Sequence, residues 1–158
     1  LSTILATVRP DLQQVEAQLA ALSAGAGEPL TPLLACSLTG GKRLRPALVL
    51  LASHLYGPST AQVRQLAVAL DVLHAATLVH DDLIDHSDRR RGRQALHTLW
   101  PASVCVLAGD YLLAEAVALM VELGDARLVA QVLRLAVAPV EPREGAKQPR
   151  FRCADMMA

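Results

Sequence analysis

The sequence predicts an all-α fold, a helical bundle, on three observations. Apolar residues make up 53% of the chain and aromatic residues only 3%. The core material is therefore Leu, Ala and Val; Leu and Ala are strong helix formers, and the aromatic-rich β-branched runs of strands are missing. Apolar positions recur at three and four residues, the period of a helix with one inward face. From Leu66 to Val79 almost no polar face is left, which suits a helix enclosed by others. With 158 residues the chain is one modest domain or a large part of a bigger one.

Each element follows from local pattern. Leu12, Val15, Leu19 and Leu22 place a first helix from about Pro10 to Ser23. The run "SAGAGEP" from Ser23 to Pro29 reads as a turn, and a short segment from Pro32 to Leu38 leads to Gly40-Gly41. A second helix covers Leu44 to Tyr56, with Pro46 tolerated in its first turn. Ser59 or Thr60 caps a third helix, Ala61 to Ile84. The charged stretch from His86 to Gln94 is expected as a loop. Pro101 opens a helix to about Glu122, and Asp125 to Ala138 forms one more. From Pro139 onward three prolines fall in twenty residues without periodicity. The expected division is residues 1–138 as helical domain and 139–158 as an irregular Pro-rich tail.

Lys plus Arg and Asp plus Glu number 15 each, so no global field points to nucleic acid and charge must act locally. Cys36, Cys105 and Cys153 form no CxxC pair, which argues against a zinc site or disulfide framework and for buried free thiols in a reducing, cytoplasmic setting. The longest apolar run, Ala102 to Val121, is interrupted by Asp110 and Glu115. A span needs roughly 20 apolar residues, so no transmembrane segment is expected. The start at Leu1, without Met or a basic n-region, is expected to reflect a trimmed or incomplete sequence without a signal peptide.

Chemistry concentrates in "LVHDDLIDHSDRRRGR", Leu78 to Arg93. Asp81, Asp82 and Asp85 form D-D-x-x-D at the C-terminal end of the third helix. Like charges four apart cost a few tenths of a kcal/mol, and the helix dipole disfavours acids at that end. Either the acids pair with Arg89 to Arg93 at a solvated helix end, or they hold Mg²⁺, which takes one or two carboxylates with water and phosphate oxygens. His74, Leu78, Asp81 and Asp85 follow a 4-3-4 spacing, so His74 is either a core histidine or a donor to a bound anion one turn above the acids. A second cluster, "GGKRLRP" from Gly40 to Pro46, sets Lys42 and Arg45 at a helix start, where free N–H groups favour phosphate; a solvated basic turn is the alternative. Arg90 and Arg91 are planar donors fitted to phosphate. Together these pieces describe a metal on carboxylates with two basic clusters, a plan for two diphosphates. Nucleic acid fits poorly, because the acids would repel a backbone and no aromatics interleave.

These motifs, with Leu96-His97 and "VLAGDYLLAEA" from Val106 to Ala116, resemble the trans-isoprenyl diphosphate synthases, the polyprenyl synthetase family, from about Leu38 to Asp125. The resemblance implies part of the isoprenoid (prenyl) synthase fold and a prenyltransferase, usually a homodimer, that condenses isopentenyl diphosphate with an allylic diphosphate. It implies Mg²⁺ on Asp81 and Asp85 with Asp82 in support, the three together as the catalytic aspartates. Arg90 would contact the allylic diphosphate, and Lys42, Arg45, His74 and Arg91 would hold isopentenyl diphosphate. Ala76 and Thr77, five and four residues before Asp81, would set the cavity floor, and as small residues they imply a product longer than farnesyl diphosphate. The family's second aspartate-rich motif has no counterpart: after Asp110 only Asp125 and Asp155 follow, and "EGAKQ" from Glu144 to Gln148 is a weak echo of a family segment. A truncated or incomplete synthase chain is expected, with a non-catalytic partner subunit of a heteromeric synthase as the alternative.

Overall fold

The structure, a computed structural model, describes residues 2–85, 89–90 and 93–136. Six helices account for most of them: α1 (Ser2–Gly25), α2 (Leu30–Leu38), α3 (Leu44–His54), α4 (Ala61–Ile84), α5 (Ala102–Val121) and α6 (Ala126–Ala136). Strands β1 (Arg89–Arg90) and β2 (Arg93–Gln94) pair antiparallel where a plain loop was expected, and a 3₁₀ turn follows at Leu96–Thr98. Arg91 and the predicted tail, with Cys153 and "EGAKQ", lie outside the described residues.

The α-helical expectation holds, with corrections at element ends. α1 begins well before Pro10 and carries that proline inside it. The apolar row explains why: Val8, fully buried, extends Leu12, Val15, Leu19 and Leu22 backward by one more turn. Packing of that row outweighs the hydrogen bond that Pro10 removes. Thr60 is the cap of α4, its hydroxyl accepting from the Val63 N–H at 3.3 Å. Asp125 caps α6 by accepting from the N–H groups of Arg127 and Leu128 at 2.9 and 3.1 Å.

α4 is the centre, with α1, α3 and α5 packed on it. Ala67, Val68, Ala69, Val72, Leu73, Ala75, Ala76 and Val79 of α4 are all buried. This fits the sequence run that lacked a polar face. Asp11 of α1 ties the far side together, 3.1 Å from Arg64 of α4 and 3.6 Å from His54 of α3.

α5 bears on the sequence expectation about membranes. By length and composition it is long and apolar enough to cross one, in spite of Asp110 and Glu115. In this fold it is a bundle helix, burying Cys105, Ala108, Gly109, Leu112, Ala116 and Met120 against its neighbours. Gly109 marks the close approach of α5 to α4, since a Cβ there would overlap Nε2 of His80 and lie 2.6 Å from its Cδ2. Gly109→Ala should therefore displace the part-exposed His80 ring, which offsets the roughly 1 kcal/mol that alanine gains in a helix interior. Adding His80→Ala should release that gain, so the effect of Gly109→Ala should be more favourable in the His80→Ala background. Thermal unfolding of the two single variants and the double variant checks this; an equal Tm change for Gly109→Ala in both backgrounds would contradict the close approach.

Candidate functional site

The basic turn is built by backbone geometry. α2 stops at Leu38, Gly40 adopts φ 73°, and Arg43 adopts φ 49° and ψ 34° just before α3 begins. Arg43 has the left-handed conformation that costs a residue with a Cβ roughly 1–2 kcal/mol. Beyond this turn α3 runs against α4. An open cleft of about 1060 Å³ lies between this turn, α4 and the segment after the β-pair. Lys42 and Arg45 line it from one side, His74, Leu78 and Asp82 from α4, and Gln94, Leu96 and Leu99 from the other side.

The row of α4 that faces the cleft is Asp71, His74, Leu78 and Asp82, with Ala75 and Val79 beside it. Four of the predicted site residues, Lys42, Arg45, His74 and Asp82, meet there. Asp82 is buried, 7% exposed. Asp81 and Asp85 do not line the cleft; both stand exposed at the end of α4. They are one helical turn apart, the Asp85 N–H donating to the Asp81 carbonyl at 2.8 Å. Arg90 lies in β1, and Arg91 is outside the described residues. Ala76 is buried in the core at 2% exposure and Thr77 is exposed; neither lines the cleft. Two residues of the site were missed by motif reading, Arg43 and Asp71, joined by a hydrogen bond of 3.0 Å. The signal for Asp71 was present, because it sits one turn before His74.

The donor chemistry fits a hard divalent cation. Asp81 and Asp85 supply oxygen ligands open to water, and among the described residues no three His, Cys, Asp or Glu side chains gather into a cage. A cation held by such a pair completes its shell with water and phosphate oxygens, the habit of Mg²⁺. No thiol is poised for covalent chemistry in the core: burial pushes the Cys105 thiol up, so it stays protonated at neutral pH and is a weak nucleophile. The expectation of buried thiols is met by Cys105, whereas Cys36 is exposed.

A family model of polyprenyl synthetases matches residues 28–141, more than half of the chain. The chain belongs to the polyprenyl synthetase family. It is 38% identical over 145 residues to solanesyl diphosphate synthase 1, chloroplastic, of Arabidopsis thaliana, covering 85% of this chain and 36% of the relative. It is 40% identical over 128 residues to heptaprenyl diphosphate synthase component 2 of Geobacillus stearothermophilus, covering 80% of this chain and 38% of that one. Among solved structures, a polyprenyl synthase from Caulobacter crescentus, complexed with calcium and isoprenyl diphosphate, superposes with a TM-score of 0.75 at 33% identity. That match covers 84% of this chain and 41% of the other. This polyprenyl synthetase chain therefore has the isoprenoid synthase fold over the matched helices and spans well under half the length of these relatives.

Cys36 lines the same cleft, which makes it a reporter. In the native chain iodoacetamide should label Cys36 and leave Cys105 unlabelled until the chain is unfolded, as read by peptide mass mapping. Equal labelling of Cys36 and Cys105 in the native chain would contradict the assigned burial.

Proposed function

We propose that this chain forms the isopentenyl diphosphate side and the first aspartate motif of a trans-prenyltransferase that elongates an allylic diphosphate. The observation that carries this reading is the meeting of Lys42, Arg45, His74 and Asp82 on one cleft, beside the exposed pair Asp81 and Asp85. Lys42 and Arg45 supply cationic donors for the diphosphate of isopentenyl diphosphate, and His74 adds a donor from α4. Leu78, Val79, Leu96 and Leu99 offer the five-carbon tail an apolar wall that excludes water. In the reaction the allylic C–O bond breaks, the isopentenyl double bond attacks the allylic carbon, and a proton leaves the adduct. Mg²⁺ bound by Asp81 and Asp85, with Asp82 in support, would neutralise charge on the departing diphosphate. Arg90 and Arg91 are proposed to grip the allylic diphosphate and isopentenyl diphosphate respectively. Cytoplasmic location belongs to the same proposal.

A second reading, a subunit that acts with another synthase chain, is supported by α5. Val106, Leu107, Leu113 and Val121 are exposed on its surface. A shallow groove along that helix is lined by Leu113, Val117 and Val121. Exposed apolar surface of this kind favours association, with a second copy or with a longer synthase chain. The relative from Geobacillus stearothermophilus is itself named a component.

Incubating the full chain with Mg²⁺, an allylic diphosphate and labelled isopentenyl diphosphate, alone and with a longer synthase chain that shows no elongation by itself, separates the two. Elongation by the chain alone supports the first reading, elongation only in the mixture supports the second, and none in either overturns both. Lys42→Ala and Arg45→Ala should each weaken isopentenyl diphosphate binding about ten- to hundredfold, the worth of a lost charge-assisted hydrogen bond. Asp81→Asn with Asp85→Asn should abolish the response to Mg²⁺ while leaving isopentenyl diphosphate binding without metal nearly unchanged. For product length, Thr77→Phe is the cleaner probe: Thr77 is exposed, whereas a bulky residue at Ala76 would overpack the core. Shorter products from Thr77→Phe are expected; an unchanged product distribution would remove Thr77 from the cavity floor.

A further inference from the structure

Of the three cations in "GGKRLRP", Arg43 is directed into the protein. Its side chain is 12% exposed. Nη1 donates to Oδ2 of Asp71 at 3.0 Å, and Nη2 donates to the Leu38 carbonyl at 2.6 Å. Nε makes no hydrogen bond and lies 3.6 Å from Oε1 of Glu16. One guanidinium therefore reaches α1, the end of α2 and α4. Gly41 makes room for it, since a Cβ there would lie 3.0 Å from Nη1. Arg43 also has the left-handed backbone, the non-glycine residue with positive φ among the described residues. Such a conformation persists where surrounding contacts over-determine it, and here those contacts are made by the residue's own side chain.

We propose that Arg43 is a positioning residue, whose guanidinium, folded under Gly41 onto Asp71 and the Leu38 carbonyl, fixes the turn that presents Lys42 and Arg45 to the cleft. This rests on the reading of the cleft as an isopentenyl diphosphate site. The pairing does a second job, because Asp71 is itself part of the cleft wall. Its carboxylate would repel a diphosphate if left without a counter-charge. Arg43, which also borders the cleft, thus orders two cations and neutralises one anion through Asp71 and the Leu38 carbonyl.

The sign of one substitution separates positioning from simple electrostatics. Asp71→Asn removes a negative charge from the cleft wall and frees Arg43, so electrostatics alone would tighten diphosphate binding. Positioning requires the opposite. Calorimetric titration of the full chain with isopentenyl diphosphate, and with inorganic diphosphate as a tail-free probe, should show weakening by about tenfold for Asp71→Asn. Gly41→Ala, which leaves every charge in place and displaces Nη1, should weaken binding in the same direction. Arg43→Lys, with charge but no fork, should not restore the affinity lost in Arg43→Met. Asp11→Asn serves as the stability control, because Asp11 pairs with His54 and Arg64 and is not part of the cleft. Unchanged or tighter binding by Asp71→Asn overturns the positioning role while leaving the site intact. Equal weakening by Asp11→Asn at an equal Tm loss also overturns it, in favour of general stability. Wild-type chain that binds neither probe, and is matched by Lys42→Ala, overturns the site and the positioning role together.

Discussion

The burial of α4 is the constraint on which the rest of the structure depends. Ala67, Ala69, Ala75 and Ala76 are small enough for neighbouring helices to close on it, and Ala108 and Gly109 answer from α5. A rod enclosed by α1, α3 and α5 has little room for polar side chains. Those that pack against its neighbours are met, since a buried polar group left unpaired costs about 1–3 kcal/mol. Arg64 is met by Asp11, and Gln65 donates to the Leu119 carbonyl at 3.0 Å and to Glu122 at 2.8 Å. Asp71 is met by Arg43. These polar contacts are also the cross-links between helices, so the demands of burial and of architecture are satisfied by the same bonds.

What burial denies to the sides of α4, it concentrates at one row and one end. Asp71, His74, Leu78 and Asp82 make the row that faces the cleft, and Asp81 and Asp85 occupy the exposed end. Three carboxylates within five residues at a helix C-terminus repel one another and the helix dipole. In the fold they divide by rotation: Asp82 turns inward, and Asp81 and Asp85 stay in water. The exposed pair keeps its hydration, which lowers the cost of holding two acids so close. Lys42 and Arg45 stand across the cleft from α4, on a separate element. Basic and acidic side chains thus face one another across the cleft, Lys42 and Arg45 on one wall and Asp71 and Asp82 on the other.

The helices were largely legible because their signals are local and repeated. The polar gap from Leu66 to Val79 fixes α4 as interior, and the 4-3 spacing from Leu12 to Leu22 fixes the face of α1. The start of α1 was misplaced because Pro10 was read as a beginning, although Val8 continues the apolar row before it. The short β-pair at Arg89–Arg90 and Arg93–Gln94 has no hydrophobic alternation to announce it. The site was legible in its residue types but less so in its directions. A row of His74, Leu78, Asp81 and Asp85 follows helical spacing, yet after His74 and Leu78 the cleft is lined by Asp82, about 100° further round the helix than Asp81. Spacing along one helix defines which residues share a face; only the packing of its neighbours decides which face becomes a cleft.

Arg43 shows the same limit more sharply. Lys42, Arg43 and Arg45 are alike in charge, and spacing favours Lys42 and Arg45 only because three residues separate them. The reason Arg43 differs lies elsewhere in the chain, at Asp71, twenty-eight residues away. Three cations packed at one turn repel each other and would drift without a bound anion. Committing one of them to Asp71 and the Leu38 carbonyl lowers that repulsion and supplies a rigid pivot for the other two. A basic turn meant to bind a dianionic or trianionic group therefore gains from an internal counter-ion, because affinity lost in one free charge is returned as preorganisation of the remaining pair. Gly41 sits beside this device: a Cβ there would lie 3.0 Å from Nη1, closer than side chains ordinarily pack.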